Sequence, residues 1–253
     1  MLLNIDHSAT DQIVTDGFAF FKQALTGDSL ENLREIVNAC LCKIDRSTEK
    51  RVHWSPLFSK SDNAATDLFT SPILRSLAEQ TTGREVFCVM VDATRATGST
   101  DCHSDAQDWE LGGLRINFYL DSLAPGAGAL RLFPGSHKKE IWEQLDQCPS
   151  HIENRTSMCC GVEPGDAIAM DLRLWHDVQS DETTMREFAS VFFYTFPKTH
   201  EEIEAVRVSA RRNRKALKVF GASDEAFTDF AASNSLSANW ANALFEYGFL
   251  EKI

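Results

Sequence analysis

The feature that most constrains this chain is a series of short apolar segments in its middle, "EVFCVMV", "LRINFYL", "GALRLF", "DAIAMDL" and "FASVFFYTF", between residues 85 and 196. Each is rich in β-branched or aromatic residues, and Gly, Pro, Asp and Ser separate them, which is the pattern of strands closed by turns. "LRINFYL" alternates: Leu114, Ile116, Phe118 and Leu120 share one face, and Arg115, Asn117 and Tyr119 share the other. Closely spaced strands without intervening helices argue for an antiparallel sandwich or barrel rather than a parallel α/β sheet. Among these the jelly roll is the expected form.

The flanks read differently. In "GDSLENLREIVNACL", Asp28 is placed to cap a helix with Glu31 three residues on, and Leu30, Leu33, Val37 and Leu41 form a stripe at helical spacing. Ser71 and Pro72 start a second helix that Gly83 stops. Thr199 and Glu202 open a third, ending near Gly221. The expectation is a single domain over 1–253: a helix-rich portion to about residue 84, a mainly β jelly-roll core (a double-stranded, cupin-like β-helix) over about 85–197, and a helical C-terminal extension over about 198–253.

Charge and cysteine usage bound the function. The formal charge is −12, whereas a nucleic-acid surface needs a basic footprint and an anionic membrane attracts basic segments. The six basic residues within 207–218 are expected to pair internally or across subunits. The seven cysteines show no paired CxxC spacing and read as reduced thiols. "MLLNIDHSATDQ" has no basic, apolar leader pattern and no segment is apolar enough to span a bilayer, so the expected location is cytoplasmic. The expected partner is a small molecule, with neither nucleic acid nor membrane, for a monomer or small homo-oligomer.

The stretch "GSTDCHSDAQDW" places His103 and Asp105 two residues apart. His-x-Asp is common by chance, so its meaning rests on a third ligand. His137 in "LFPGSHKK" reads as a turn residue and His151 as a solvated loop residue. His176, in "GDAIAMDLRLWHDV", is read at the end of an apolar strand, where a sheet holds it rigidly. Arg186 lies ten residues later at the start of "REFASVFFYTF". If that strand pairs with the one carrying His176, Arg186 sits deep in the barrel near the same mouth. Two imidazoles and a carboxylate form the facial triad of non-haem Fe(II) oxygenases, leaving positions open for a 2-oxo acid and O2. The far carboxylate of 2-oxoglutarate then needs a buried arginine fork.

With those residues assembled, the sequence resembles the phytanoyl-CoA dioxygenase family of Fe(II)/2-oxoglutarate-dependent oxygenases. "DGFAFFKQAL", "HSD", "LRINFYLDSLAPGAGALRLFPGSHK", "EPGDAIAMDLRLWH" and "REF" carry the likeness over most of the chain. The resemblance implies oxidation of an unactivated C–H bond of a small metabolite or natural-product intermediate, with Fe(II), 2-oxoglutarate and O2 consumed and succinate and CO2 released. Fe(II) would be held by His103, Asp105 and His176. Arg186 would anchor the cosubstrate, and Asn117 falls where the family places a side chain that contacts it. Related halogenases carry a small residue at the acid's position, so Asp105 points to hydroxylation, or to desaturation or ring chemistry.

The family often follows the distal His with Gly and a small hydroxyl residue. Here Asp177 and Val178 follow, leaving Gln179 or Ser180 to supply that contact. Substrate contacts are expected from Trp109, His53, Arg115 and Arg131, each of which has an ordinary packing or ion-pair role as its alternative. Other readings stay open: a catalytically silent jelly-roll binding or regulatory protein, an acyl-CoA hydroxylase, and a Zn(II) hydrolase in which Arg186 would have no task.

Overall fold

The computed structural model describes residues 7–41, 51–54, 68, 70–219 and 235–249, of which 7, 40, 51–54, 214–219 and 235–237 are described by backbone alone. The elements run α1 (His7–Asp16), β1 (Phe18–Phe21), α2 (Asp28–Leu41), β2 (Arg51–Trp54), α3 (Pro72–Thr82), β3 (Val86–Ala96), β4 (Thr100–His103), β5 (Gly113–Tyr119), β6 (Leu130–Leu132), α4 (Lys139–Gln147), a 3-10 turn (Pro149–Asn154), β7 (Met158–Cys159), β8 (Ala167–Asp171), β9 (His176–Val178), β10 (Arg186–Thr195), α5 (His200–Val219) and α6 (Ser235–Glu246).

The strands form two antiparallel sheets, a larger one of order β1-β8-β5-β10-β3-β2 and a smaller one of order β4-β9-β6-β7. This is the jelly roll expected from the spacing of the apolar runs. Two of its strands come from the portion expected to be helix-rich, for β1 adds to β8 and β2 to β3 at the edges of the larger sheet.

Local signals hold where they are chemical. The Ser71 hydroxyl accepts from the Leu74 backbone N–H, Pro72 follows, and Gly83 closes α3 in the left-handed region at φ 64°. At α5 the Thr199 hydroxyl accepts from the Glu202 backbone N–H while the Glu202 carboxylate accepts from that of Thr199, a closed capping box. Asp28 is the first residue of α2 rather than its cap; Gly221 lies outside the described residues.

The alternation in β5 decides what each face does. Leu114, Ile116 and Phe118 pack outward beneath Leu33 and Val37 of α2, Leu74 and Leu77 of α3, Val206 of α5 and Leu244 of α6. Arg115, Asn117 and Tyr119 point into the space between the sheets. The described part of the C-terminal extension therefore covers the outer face of the larger sheet. Arg84 latches it there with a two-point ion pair to Glu202, at 2.6 and 2.9 Å. Inside, Phe18, Leu132, Ile168, Met170 and Leu174 fill part of the barrel. Gly17, at φ 95°, lets β1 approach: a Cβ there would meet the Leu174 side chain at 2.5 Å and His137 Nδ1 at 2.7 Å.

Candidate active site

His103 ends β4 and His176 begins β9, and the two residues are register partners in the smaller sheet. Their rings lie 4.4 Å apart, centre to centre. His176 thus follows a turn after the apolar strand β8 and opens a strand of the opposite sheet, instead of ending β8 itself. β10 likewise pairs with β3 and β5 and not with β9. Arg186 and His176 meet because the two sheets face each other across the cavity, not because their strands are hydrogen-bonded.

Both imidazoles are fixed in the same tautomer. His103 Nδ1 lies 2.7 Å from the Asp101 carbonyl oxygen and His176 Nδ1 lies 2.9 Å from that of Leu174. A carbonyl only accepts, so each Nδ1 carries a proton and each Nε2 is the nitrogen left to serve as a ligand atom. The Asp105 carboxylate completes the group. One donor atom from each of His103, Asp105 and His176 lies within 4.8 Å of the others, which suits a single ion.

The loop that carries Asp105 is tied down. The Ala106 backbone N–H donates to the Leu172 carbonyl at 2.8 Å, and the Trp142 indole N–H donates to the Ser104 hydroxyl at 3.1 Å. Burial opposes charge on Asp105, but the Arg115 guanidinium and the two imidazoles outweigh it and hold the carboxyl well below the usual range. Burial also pushes His176 down to about 4 against the pull of Asp105, so its ring is neutral at pH 7. Two imidazoles and an ionised carboxylate are the donor set of a divalent first-row metal.

Arg186 lies on the same cavity and is 3 % exposed. It donates to the Gly98 carbonyl at 2.7 Å and weakly to the Thr100 hydroxyl at 3.4 Å. Among the described residues no carboxylate pairs with it, and burial lowers its pKa, with only Tyr119 pulling the other way. A buried cation facing a cavity without an acid partner is an anion site by charge balance. Asn117, Tyr119, Leu130, Val178 and Phe188 line the cavity together with Arg186 and the two histidines. Burial pushes Tyr119 up to about 12, which keeps it a neutral hydroxyl.

The remaining expected contacts divide. Arg115 borders the cavity, but its guanidinium is engaged by Asp105 at 3.1 Å, Asn117 at 2.8 Å and Ser190 at 3.3 Å. Trp109 is not brought to the cavity: it packs beside Trp142 and under the Arg173 guanidinium on the outer side of the smaller sheet. Arg131 also turns away and pairs with Asp177. The side chain of His53 lies outside the described residues. Neither Gln179 nor Ser180 lines the cavity. His137 is a turn residue, its Nε2 on the Val14 carbonyl at 3.1 Å. Ser190 and Thr100 are the polar neighbours that sequence reading missed. Ser190 had a signal, being four residues, two pleat repeats, beyond Arg186 on β10, and Thr100 had none.

The fold and the site define a jelly-roll protein with a two-histidine, one-carboxylate centre facing a buried arginine. The chain belongs to the phytanoyl-CoA dioxygenase (PhyH) family of Fe(II)/2-oxoglutarate-dependent oxygenases, whose model matches residues 13–184. That span includes all three candidate ligands and stops just short of Arg186. Among solved structures, the chain is similar to the epimerase SnoN from nogalamycin biosynthesis in complex with Fe3+, alpha ketoglutarate and nogalamycin RO, with 17 % identity and a TM-score of 0.61 over 74 % of this chain and 82 % of that one. EvdO2 from Micromonospora carbonacea var. aurantiaca, complexed with 2-oxoglutarate, matches at 19 % identity and TM-score 0.60, over 78 % and 94 %. EctD from S. alaskensis with bound Fe matches at 19 % and 0.61, over 77 % and 79 %. A sequence search of curated proteins finds no match. No described helix is long and apolar enough to cross a membrane.

Proposed function

We propose that this protein is an Fe(II)- and 2-oxoglutarate-dependent dioxygenase that hydroxylates an unactivated C–H bond of a small metabolite or natural-product intermediate. In this reading His103, Asp105 and His176 hold the iron, and Arg186 holds the far carboxylate of 2-oxoglutarate. The observation that carries it is the pairing, on one cavity, of three convergent ligand atoms with a buried guanidinium that has no acid partner among the described residues. The donor chemistry fits the ion, since both imidazoles commit Nδ1 to a backbone carbonyl and leave Nε2 as the ligand atom, and the acid is ionised. When bound, iron supplies the oxidising chemistry that turns 2-oxoglutarate and O2 into succinate and CO2 with oxidation of the substrate.

The chain's own residues do the rest. Backbone carbonyls aim the imidazoles, the pinned loop after β4 presents the carboxylate, and Arg186 orients the cosubstrate by two-point recognition. The apolar wall of Leu130, Val178 and Phe188 keeps water from the reacting centre. Neighbours of the same fold include the epimerase SnoN from nogalamycin biosynthesis, which favours a natural-product intermediate over an acyl-CoA.

The test is direct. Under anaerobic conditions Fe(II) with 2-oxoglutarate should give a weak visible charge-transfer band, and in air a metabolite panel should identify compounds that stimulate succinate release. Asp105→Ala should lower that release at least ~100-fold. An undiminished rate in the variant would refute the ligand assignment. A folded protein with neither band nor succinate would point instead to a silent binding protein.

A further inference from the structure

The side chain of Arg115 raises a question the proposed function leaves open. It is a fully charged group only 5 % exposed, on the inner face of β5, and it touches no bulk solvent of consequence. Its Nη1 lies 3.1 and 3.3 Å from the two Asp105 oxygens, its Nε donates to Asn117 Oδ1 at 2.8 Å, and its Nη2 donates to the Ser190 hydroxyl at 3.3 Å. The plane of the guanidinium lies over the Phe192 ring, 5.0 Å from its centre. All three guanidinium nitrogens are therefore engaged within the protein, which leaves the group poorly placed to bind a substrate anion.

The consequence falls on Asn117. A side-chain amide has two orientations, and an ambiguous neighbour such as a hydroxyl does not choose between them. Arginine does choose, because it has no acceptor. With Arg115 Nε directed at it, the atom facing Arg115 must be Oδ1. The Ser190 hydroxyl then donates to the same oxygen, at 2.8 Å. The amide oxygen is thus doubly engaged, and the Nδ2 group is turned the other way, with one N–H available to the Tyr119 hydroxyl and the second to the cavity that both residues line. Asp105 in turn fixes Arg115 by the ion pair.

We propose that Arg115 is a positioning residue that links the iron ligand Asp105 to Asn117, locking the Asn117 amide with its remaining N–H toward the bound 2-oxo acid. This deepens the proposed function and rests on it, since the anion received by that N–H is the cosubstrate. A lysine keeps the charge but offers one compact donor group instead of a planar fork, and so reaches Asp105 or Asn117 but does not serve both.

The test is a double-mutant cycle on the full-length protein loaded with Mn(II), titrated with 2-oxoglutarate by calorimetry, so that no turnover is involved. Arg115→Lys should weaken 2-oxoglutarate binding about fivefold or more, the worth of one oriented hydrogen bond. Because Arg115 acts through Asn117, the same change made in an Asn117→Ala background should cost less than about twofold. Thermal melting of each metal-free variant checks folding, and Arg115→Gln replaces the lysine variant should that one fail to fold. Arg115→Lys with unchanged affinity, or an equal loss in both backgrounds, would overturn the linkage while leaving the oxygenase reading intact. Failure of the parent protein to bind 2-oxoglutarate with Mn(II) would overturn the oxygenase reading, and this inference with it.

Discussion

Arg186 and Arg131 sit on strands of facing sheets, and their surroundings are opposite. Arg131 donates through Nε to Asp177 at 2.8 Å and through Nη2 to its other oxygen, and the guanidinium rests over Phe133. Its hydrogen bonds to Asp177 raise its pKa. Arg186 has a carbonyl and a distant hydroxyl, and burial lowers its pKa. The alternation of β6 and β9 explains which is which. Arg131 and Asp177 are register partners whose neighbours Leu130, Leu132, His176 and Val178 take the inner face. One cation is complete within the protein and contributes to its stability. The other is left incomplete, at a cost, which is what its proposed role as an anion anchor requires.

The largest effect tests the incomplete cation. Arg186→Met should weaken 2-oxoglutarate binding to the metal-loaded protein about 100-fold, since a charge-assisted two-point contact is lost. The melting temperature of the metal-free variant should stay level or rise, because a desolvated and unpaired charge has been removed. A fall in stability with unchanged affinity would make Arg186 a structural residue and erase the contrast with Arg131.

The second effect belongs to the inner face as well. The folded protein holds His176 at about 4, below the ordinary value near 6.5. The unfolded chain therefore binds the proton first as the pH falls. His176 contributes stability that is complete above about 6.5 and is lost progressively down to about 4, on the order of a few kcal/mol. Urea unfolding of the metal-free protein at pH 7 and pH 4.5 should show this loss, and His176→Phe should reduce it. Equal pH slopes in the two proteins would contradict the desolvated, neutral ring.

How much of this was legible in the sequence depends on the range of the interaction. Ser71, Pro72 and Gly83 delimit α3 because capping chemistry is local, and the alternation through Leu114–Leu120 assigns both faces of β5. The triad was legible by composition, as was the need for a buried arginine. Short strands were not: β4, β7 and β9 have two to four residues each, too few for periodicity to register. Strand pairing was not legible either. Arg186 reaches the His176 cavity across the barrel, a long-range fact that no local pattern encodes. Arg115 and Arg131 looked alike in sequence, each on an alternating strand. Only the return of the loop after β4 gives Arg115 its acid, and only the register of β6 on β9 gives Arg131 a different one.

The last prediction breaks the comparison from its complete side. Arg131→Met removes the partner of Asp177, whose side chain is 7 % exposed, and leaves that carboxylate buried without its charge-assisted bonds. The cost is the desolvation of the stranded acid, about 1–3 kcal/mol, discounted toward the lower figure because the Arg131 side chain is itself 31 % exposed and water enters from that side. The 2-oxoglutarate affinity of the metal-loaded variant should stay within about twofold of the parent, because Arg131 does not line the cavity. Asp177 is adjacent to His176, so a loss of affinity would show that the outer pair also steadies the ligand strand. In that case the division of labour between the two arginines would be one of degree. Arg131→Met with Asp177→Leu should recover most of the stability, since an apolar pair replaces the stranded charge. That recovery, with binding unchanged throughout, would separate the outer face from the chemistry of the inner one.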